Sequence, residues 1–250
     1  MIVICEPICW GLEHVPLNAS ILEILRLAVP SEKIVFCGER SHLKHVSIQI
    51  EPEIASSIVW NAIELPPRHI KDSKRWVVDY KLLKNLTRML NEDAQSYLLL
   101  TSIAPSTLLA LKFIVGYLRR GRNAQVILHG GLSKLEGWRS RNPIIRLQDL
   151  RTALVAPDGG KVRYIVLEKP IKEVILNKLP SLEGRVDVLD HPLPSNAGEQ
   201  STNDLSVPLQ FGFLGLASEE KGFPFYIRLA SEFSKKYSQR VEFHAIGSLP

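Results

Sequence analysis

Several chemistries are missing from this sequence, and each absence narrows what the chain can do. No Asp-x-Asp pair occurs in the 250 residues, so the paired carboxylates that commonly hold a divalent metal against a diphosphate are not supplied. No GxSxG elbow, HExxH pair or GxxxxGK[ST] loop is present, which removes the usual signatures of serine hydrolases, zinc proteases and Walker-type nucleotidases. Cysteine is scarce: Cys5, Cys9 and Cys37 are odd in number and form no CxxC pair, so neither a disulfide framework nor a metal site is expected. Long apolar runs are missing as well. The longest, 108–118, is broken by Lys112 and falls short of the roughly 20 residues that cross a bilayer. Residues 1–10 are apolar but carry Glu6 and no basic leader, so they read as a first strand rather than a signal peptide, and a cytoplasmic location is expected.

What is present is an ordinary globular composition, 45% hydrophobic and 23% charged, with a formal charge of +5. That balance suits anionic partners such as nucleotide diphosphates or lipid phosphates, or simply a basic solvated surface. The cluster Arg119-Arg120-Gly121-Arg122 lacks interleaved stacking aromatics, so nucleic acid is not an expected partner. Following an apolar helix, it suits peripheral contact with an anionic membrane, at the inner face, or a solvated helix end.

Short β-rich runs alternate with helical stretches, which argues for parallel βαβ units. Strands are expected at 1–5, 33–38, 57–64, 96–101, 124–128, 162–167 and 185–189. Helices are expected at 18–29, 73–90, 105–120 and 143–154, with a short one reaching 179. Asn18 or Ser20 is the expected cap of the first helix, and Pro105 suits a first turn. Residues 195–208 are rich in Ser, Asn, Gly and Pro and read as a linker. The pattern then restarts with strand 209–215, turn 217–222, helix 223–237 and strand 241–246. The expected organisation is an N-terminal Rossmann-like domain over 1–194, the linker, and an incomplete second domain over 209–250. The fold class is therefore α/β, a parallel Rossmann-like sheet plus the first βαβ unit of a second Rossmann-like domain.

Three segments could carry chemistry. His129-Gly130-Gly131 follows a strand, where ligands bind in open α/β sheets, although on these residues alone a turn with a hydrogen-bonded histidine is the favoured reading. Gly215 opens a polar turn that ends in Lys221-Gly222 at a helix start, which can present a cation and backbone N–H groups to a diphosphate. The loop 11–18 after the first strand holds Gly11, Glu13, His14 and Asn18.

Taken together, these elements resemble GT-B glycosyltransferases, specifically family 4-like enzymes. The residues that carry the resemblance are His129-Gly130, the run 185–194, and Phe211-Gly212-Phe213-Leu214-Gly215 with Glu220-Lys221-Gly222-Phe223. The resemblance implies transfer of a sugar from a nucleotide-diphosphate sugar to a polysaccharide or lipid-linked acceptor, retaining and without metal or other cofactor. It implies catalytic roles for His129 and Lys221, donor binding by Gly130, Gly215, Lys221 and Gly222, and acceptor binding by Gly11, Glu13, His14 and Asn18. Leu216 stands where the family carries an arginine, and its Glu-x7-Glu donor segment has no counterpart here, so the chain reads as truncated. The alternatives are an inactive fragment that only binds, or a GT-B-fold nucleotide-sugar isomerase.

Overall fold

The computed structural model describes residues 1–66, 72–90, 96–118, 123–128, 135, 149–192, 208–214, 217–219, 221–237 and 240–247. The chain divides into two compact units, Met1–Ala197 and Gly198–Pro250.

The first unit is built on seven parallel strands: β1 (Ile2–Cys5), β2 (Ile34–Gly38), β3 (Ile58–Ala62), β4 (Tyr97–Leu100), β5 (Asn123–Leu128), β6 (Val162–Val166) and β7 (Val186–Val188). Their order in the sheet is β3-β2-β1-β4-β5-β6-β7, so the direction of winding reverses between β1 and β4. Strands buried on both faces need apolar residues at every position, and β1 and β2 are buried throughout.

The pleat divides these side chains into two cores. Val3, Cys5, Val35, Cys37, Leu98 and Leu100 face one side and pack with α4 (Asp72–Met89) and α5 (Pro105–Phe113). That core also takes in α6 (Leu150–Val155) and α7 (Lys169–Lys178). Ile2, Ile4, Ile34, Phe36 and Leu99 face the other side and pack with α1 (Val15–Ala28) and α2 (Arg40–Gln49). A short α3 (Pro52–Ser56) leads into β3, where Trp60 sits edge-on to Phe36 at 5.8 Å. Each large aliphatic side chain buried here contributes about 1.5–3 kcal/mol.

Two expected boundaries move. The first helix begins at Val15 rather than residue 18, with Pro16 in its first turn. Asn18 and Ser20 therefore lie inside the helix and cap nothing; the Ser20 hydroxyl donates to the Pro16 carbonyl at 2.9 Å. The expected helix 105–120 is α-helical only to Phe113 and widens into a π-helical turn, Ile114–Leu118. There Gly116 lies against the Asp158 backbone, and a β-carbon on it would stand 3.0 Å from the Asp158 Cα. Helices α2 and α3 were not signalled by the hydrophobic spacing; α2 is started by Glu39, whose carboxylate accepts from the Ser41 and His42 amides at 2.9 and 3.0 Å.

A buried cation ties α5 to α6. Lys112, 1% exposed, donates from Nζ to the carbonyls of Leu154 and Ala156 at 2.5 and 2.9 Å, the free acceptors at the end of α6. Burial pulls its pKa down to about 8. Beside it, buried Asp158 pairs with Arg185 and accepts from the Val162 amide at 3.2 Å, which fixes the entrance to β6.

The second unit holds β8 (Leu209–Leu214), α8 (Phe223–Tyr237) and β9 (Val241–Ile246), with the two strands parallel. Phe211 stacks on Phe243 at 5.0 Å, and the Tyr226 hydroxyl lies 2.9 and 2.7 Å from the carbonyls of Phe211 and His244. The expected linker, apart from Pro208, lies outside the described residues.

Candidate functional site at the switch point of the sheet

In open α/β sheets the crevice for a ligand forms where the winding reverses, beyond the carboxyl ends of the strands. Here that is the gap after β1 and β4, and it is occupied by a carboxylate. Glu6, the residue after β1, is fully buried. Its Oε1 accepts from the Ile8 and Cys9 amides at 3.1 and 3.2 Å and from the Ser102 hydroxyl. Its Oε2 accepts from the Thr101 hydroxyl at 3.1 Å and the Asn18 amide at 3.4 Å, and it faces His14 Nδ1 at 3.5 Å. Burial pushes the carboxyl up, but hydrogen bonds from His14 and Ser102, the His14 charge and the Ile8 amide outweigh it and hold Glu6 at about 2. Glu6 is thus an ionised carboxylate with partners from the loops that follow β1 and β4 and from α1.

The loop between Glu6 and α1 aims a histidine at it. His14 takes a left-handed conformation (φ 56°), the one such non-glycine among the described residues. For an L-residue this costs about 1–2 kcal/mol, strain of a kind that clusters at functional sites. The imidazole is 36% exposed and its Nδ1 lies 2.8 Å from Cys9 Sγ. Burial, with the charges of Glu6 and Glu13, pushes the Cys9 thiol well up, so it stays protonated. A second histidine braces the loop from behind. Buried His42 lies 3.0 Å from the Gly11 carbonyl through Nδ1 and 2.8 Å from Asn18 Nδ2 through Nε2. Burial lowers its pKa, so its Nδ1–H donates and its Nε2 accepts.

A cleft of about 260 Å³ adjoins the site, lined by Pro7, Ile8, Trp10, Glu13, Leu65, Pro66 and Arg75. Apolar walls, an indole, one carboxylate and one guanidinium suit a small, partly apolar ligand carrying hydroxyl groups. Arg75 is held by the buried Asp79 at 3.4 Å. Asp79 in turn accepts from Ser106 and Thr107 at 3.0 and 2.8 Å at the start of α5.

The residues expected from the sequence divide into three sets. Gly11, Glu13 and His14 lie in the loop beside the cleft, and Glu13 lines it. Asn18 belongs to α1 and turns inward to Glu6 and His42, so it supports the site from beneath rather than lining the loop. His129, Gly130, Gly131 and Gly215 lie outside the described residues. Lys221 and Gly222 are in the second unit. Lys221 is exposed, its amide donates to Ser218 Oγ at 3.3 Å, and Gly222 takes φ 77° at the entry to α8. Sequence reasoning missed Glu6, Thr101, Ser102, His42 and Arg75. The available signal was Glu6 itself, a lone carboxylate ending an all-apolar strand.

The fold is that of GT-B glycosyltransferases, an α/β architecture with a Rossmann-like parallel sheet. The chain is similar over 100% of its length to the crystal structure of Arabidopsis thaliana UGT89C1 complexed with UDP-L-rhamnose, at 11% identity and TM-score 0.54, covering 69% of that chain. The same protein complexed with quercetin gives 13% identity, TM-score 0.54 and coverage of 99% and 69%. Complexed with UDP it gives 10% identity, TM-score 0.52 and coverage of 97% and 65%. The likeness extends to the GT-B fold and not to family 4 in particular. No protein-family model matches the sequence, and no curated protein matches it.

Proposed function

We propose that the chain is a glycosyltransferase that moves a sugar from a nucleotide-diphosphate sugar to a hydroxyl acceptor, with the acceptor seated in the cleft beside His14. The observation that carries this reading is the buried, ionised Glu6 facing His14 Nδ1 at the switch point. In the neutral imidazole, a carboxylate on Nδ1 favours the tautomer with its proton there and leaves Nε2 as an acceptor. In the step proposed, the acceptor hydroxyl gives its proton to Nε2 as its oxygen bonds to the anomeric carbon. The bond from that carbon to the diphosphate breaks, and the nucleotide diphosphate leaves with the electron pair. Base assistance of this kind contributes about 10²–10⁴-fold. Attack opposite the leaving group inverts the anomeric centre.

On the donor side, Lys221 and the Gly222 turn supply a cation and helix-start N–H groups, which suits a departing diphosphate without a metal. His129 and the glycines Gly130 and Gly215 are assigned to the same donor by the family 4 resemblance. That resemblance also carries the second reading, a retaining course on a polysaccharide or lipid-linked acceptor. The strand, turn and Lys221-Gly222 helix start favour it.

No helix among the described residues is long and apolar enough to cross a membrane. Peripheral contact with an anionic membrane rests on the basic cluster 119–122, which lies outside the described residues, following exposed Phe113, Tyr117 and Leu118.

The test is nucleotide release and product formation. UDP-L-rhamnose with quercetin is the first pair, followed by UDP- and GDP-hexoses with lipid-linked and free glycans. Release that depends on an acceptor, and that falls in His14→Gln and Lys221→Ala, supports the reading. Binding of a donor with no transfer to any acceptor overturns it.

A further inference from the structure

The loop after β1 brings together three different metal-ligating groups whose sequence spacing matches no metal motif. Glu6 offers a carboxylate oxygen, Cys9 its Sγ and His14 its Nδ1, and the three ligand atoms lie within 4.8 Å of one another. Cys9 Sγ stands 2.8 Å from His14 Nδ1, and Nδ1 stands 3.5 Å from Glu6 Oε2. Around a tetrahedral zinc ion with bonds of about 2.0–2.3 Å, ligand atoms stand roughly 3.3–3.6 Å apart. The nitrogen–oxygen gap already fits, and the sulfur–nitrogen gap must open by less than about 1 Å.

We propose that Glu6, Cys9 and His14 form a binding site for a divalent cation of the zinc class, with the fourth position left to water on the exposed side of His14. Three features argue for a built site rather than a chance meeting. The carboxylate is oriented by the Ile8 and Cys9 amides and by Thr101, Ser102 and Asn18, the kind of outer support that metal-ligating carboxylates require. The histidine is aimed by a left-handed backbone that is strained for any L-residue. Glu6 and Cys9 are buried while His14 is partly exposed, which gives an ion a path in and a water-accessible position.

One sulfur, one nitrogen and one oxygen donor favour zinc over magnesium, which demands oxygen ligands. Binding converts the Cys9 thiol to a thiolate and releases one proton to solvent. It also occupies the ring nitrogen that faces Glu6, which removes the contact that makes His14 a base. Zinc would then inhibit transfer, a consequence that rests on the function proposed above; the metal site itself does not.

The experiment titrates the chelator-treated full chain with cobalt(II), whose thiolate ligation gives a sulfur-to-metal absorption band in the near ultraviolet, and then displaces it with zinc. The expected result is a band that zinc abolishes and magnesium does not. It should be lost in Cys9→Ser and kept in Cys5→Ala and Cys37→Ala, and His14→Gln should weaken zinc binding at least about tenfold. Circular dichroism checks that each variant is folded. Should Cys9→Ser not fold, His14→Gln, which keeps the thiol, carries the test alone. No band in the parent chain, a band that survives Cys9→Ser, or zinc affinity unchanged in His14→Gln overturns the site. A band without transfer activity contradicts the function but not the site, and activity without a band does the reverse.

Discussion

Replacing Glu6 with glutamine tests whether the switch point is organised around a charge. The side chain keeps its shape, but an ionised acceptor of hydroxyl, amide and imidazole donors becomes a neutral amide with an NH₂ that must face some of those donors. A carboxyl held at about 2 in the folded protein, against an ordinary 4.5, contributes on the order of 3 kcal/mol near neutral pH. Because the folded state binds this proton less tightly than the unfolded state, the contribution is complete above pH 4.5, declines as pH falls, and is gone below about 2. Glu6→Gln should therefore destabilise the first unit by about 2–4 kcal/mol at pH 7, and by roughly half as much at pH 3. Glu39, also held at about 2 by hydrogen bonds from the Ser41 side chain and backbone, is common to both proteins and cancels in the comparison. Urea unfolding followed by tryptophan fluorescence is a suitable assay. Trp10, Trp60 and Trp76 report on the first unit. A difference below about 1 kcal/mol at pH 7, unchanged at pH 3, would refute the reasoning.

Lys112→Met keeps the length of the side chain and strips the two carbonyls at the end of α6 of their donor. A loss of about 1–3 kcal/mol by the same unfolding assay is expected, and a neutral result would show that water replaces the ammonium. Gly116→Ala forces a methyl group to 3.0 Å from the Asp158 backbone and should cost about 1–3 kcal/mol, read as a lowered midpoint of thermal unfolding. His14→Gln should reduce turnover by about 10²–10⁴-fold while acceptor affinity changes little. A raised KM with turnover unchanged would mark His14 as a binding residue instead. Glutamine at this position keeps the left-handed strain and loses the imidazole that helps hold Glu6 ionised, so His14→Gln should also lower stability by about 1–2 kcal/mol in urea unfolding.

The parts of the fold legible in the sequence are those where one signal dominates. The all-apolar β1 and β2, the restart at β8, and the helix and strand bounds of the second unit follow directly from hydrophobic runs between polar turns. Helix α2 escaped because only Leu43 and Val46 mark its apolar face in an otherwise polar run, and its start is set by a Glu39 cap, which spacing arguments do not see. The early start of α1 escaped because Pro16 reads as a loop residue, although proline fits a first helical turn. At the site, the loop carrying Gly11, Glu13 and His14 could be singled out because it follows the first strand. Glu6 could not be given a role, since its partners Thr101 and Ser102 arrive from the loop after β4, far along the chain. Nor does any sequence pattern bring Cys9, His14 and Glu6 to one point; the turn of the loop does that.

The most direct test of the central claim, that the Glu6–His14 pair activates an acceptor hydroxyl, is the anomeric configuration of the sugar product. Nuclear magnetic resonance of the product should show a configuration inverted from that of the donor, formed by the parent chain and at a greatly reduced rate by His14→Gln. A product with the donor's configuration retained, formed equally fast by both, would contradict the account.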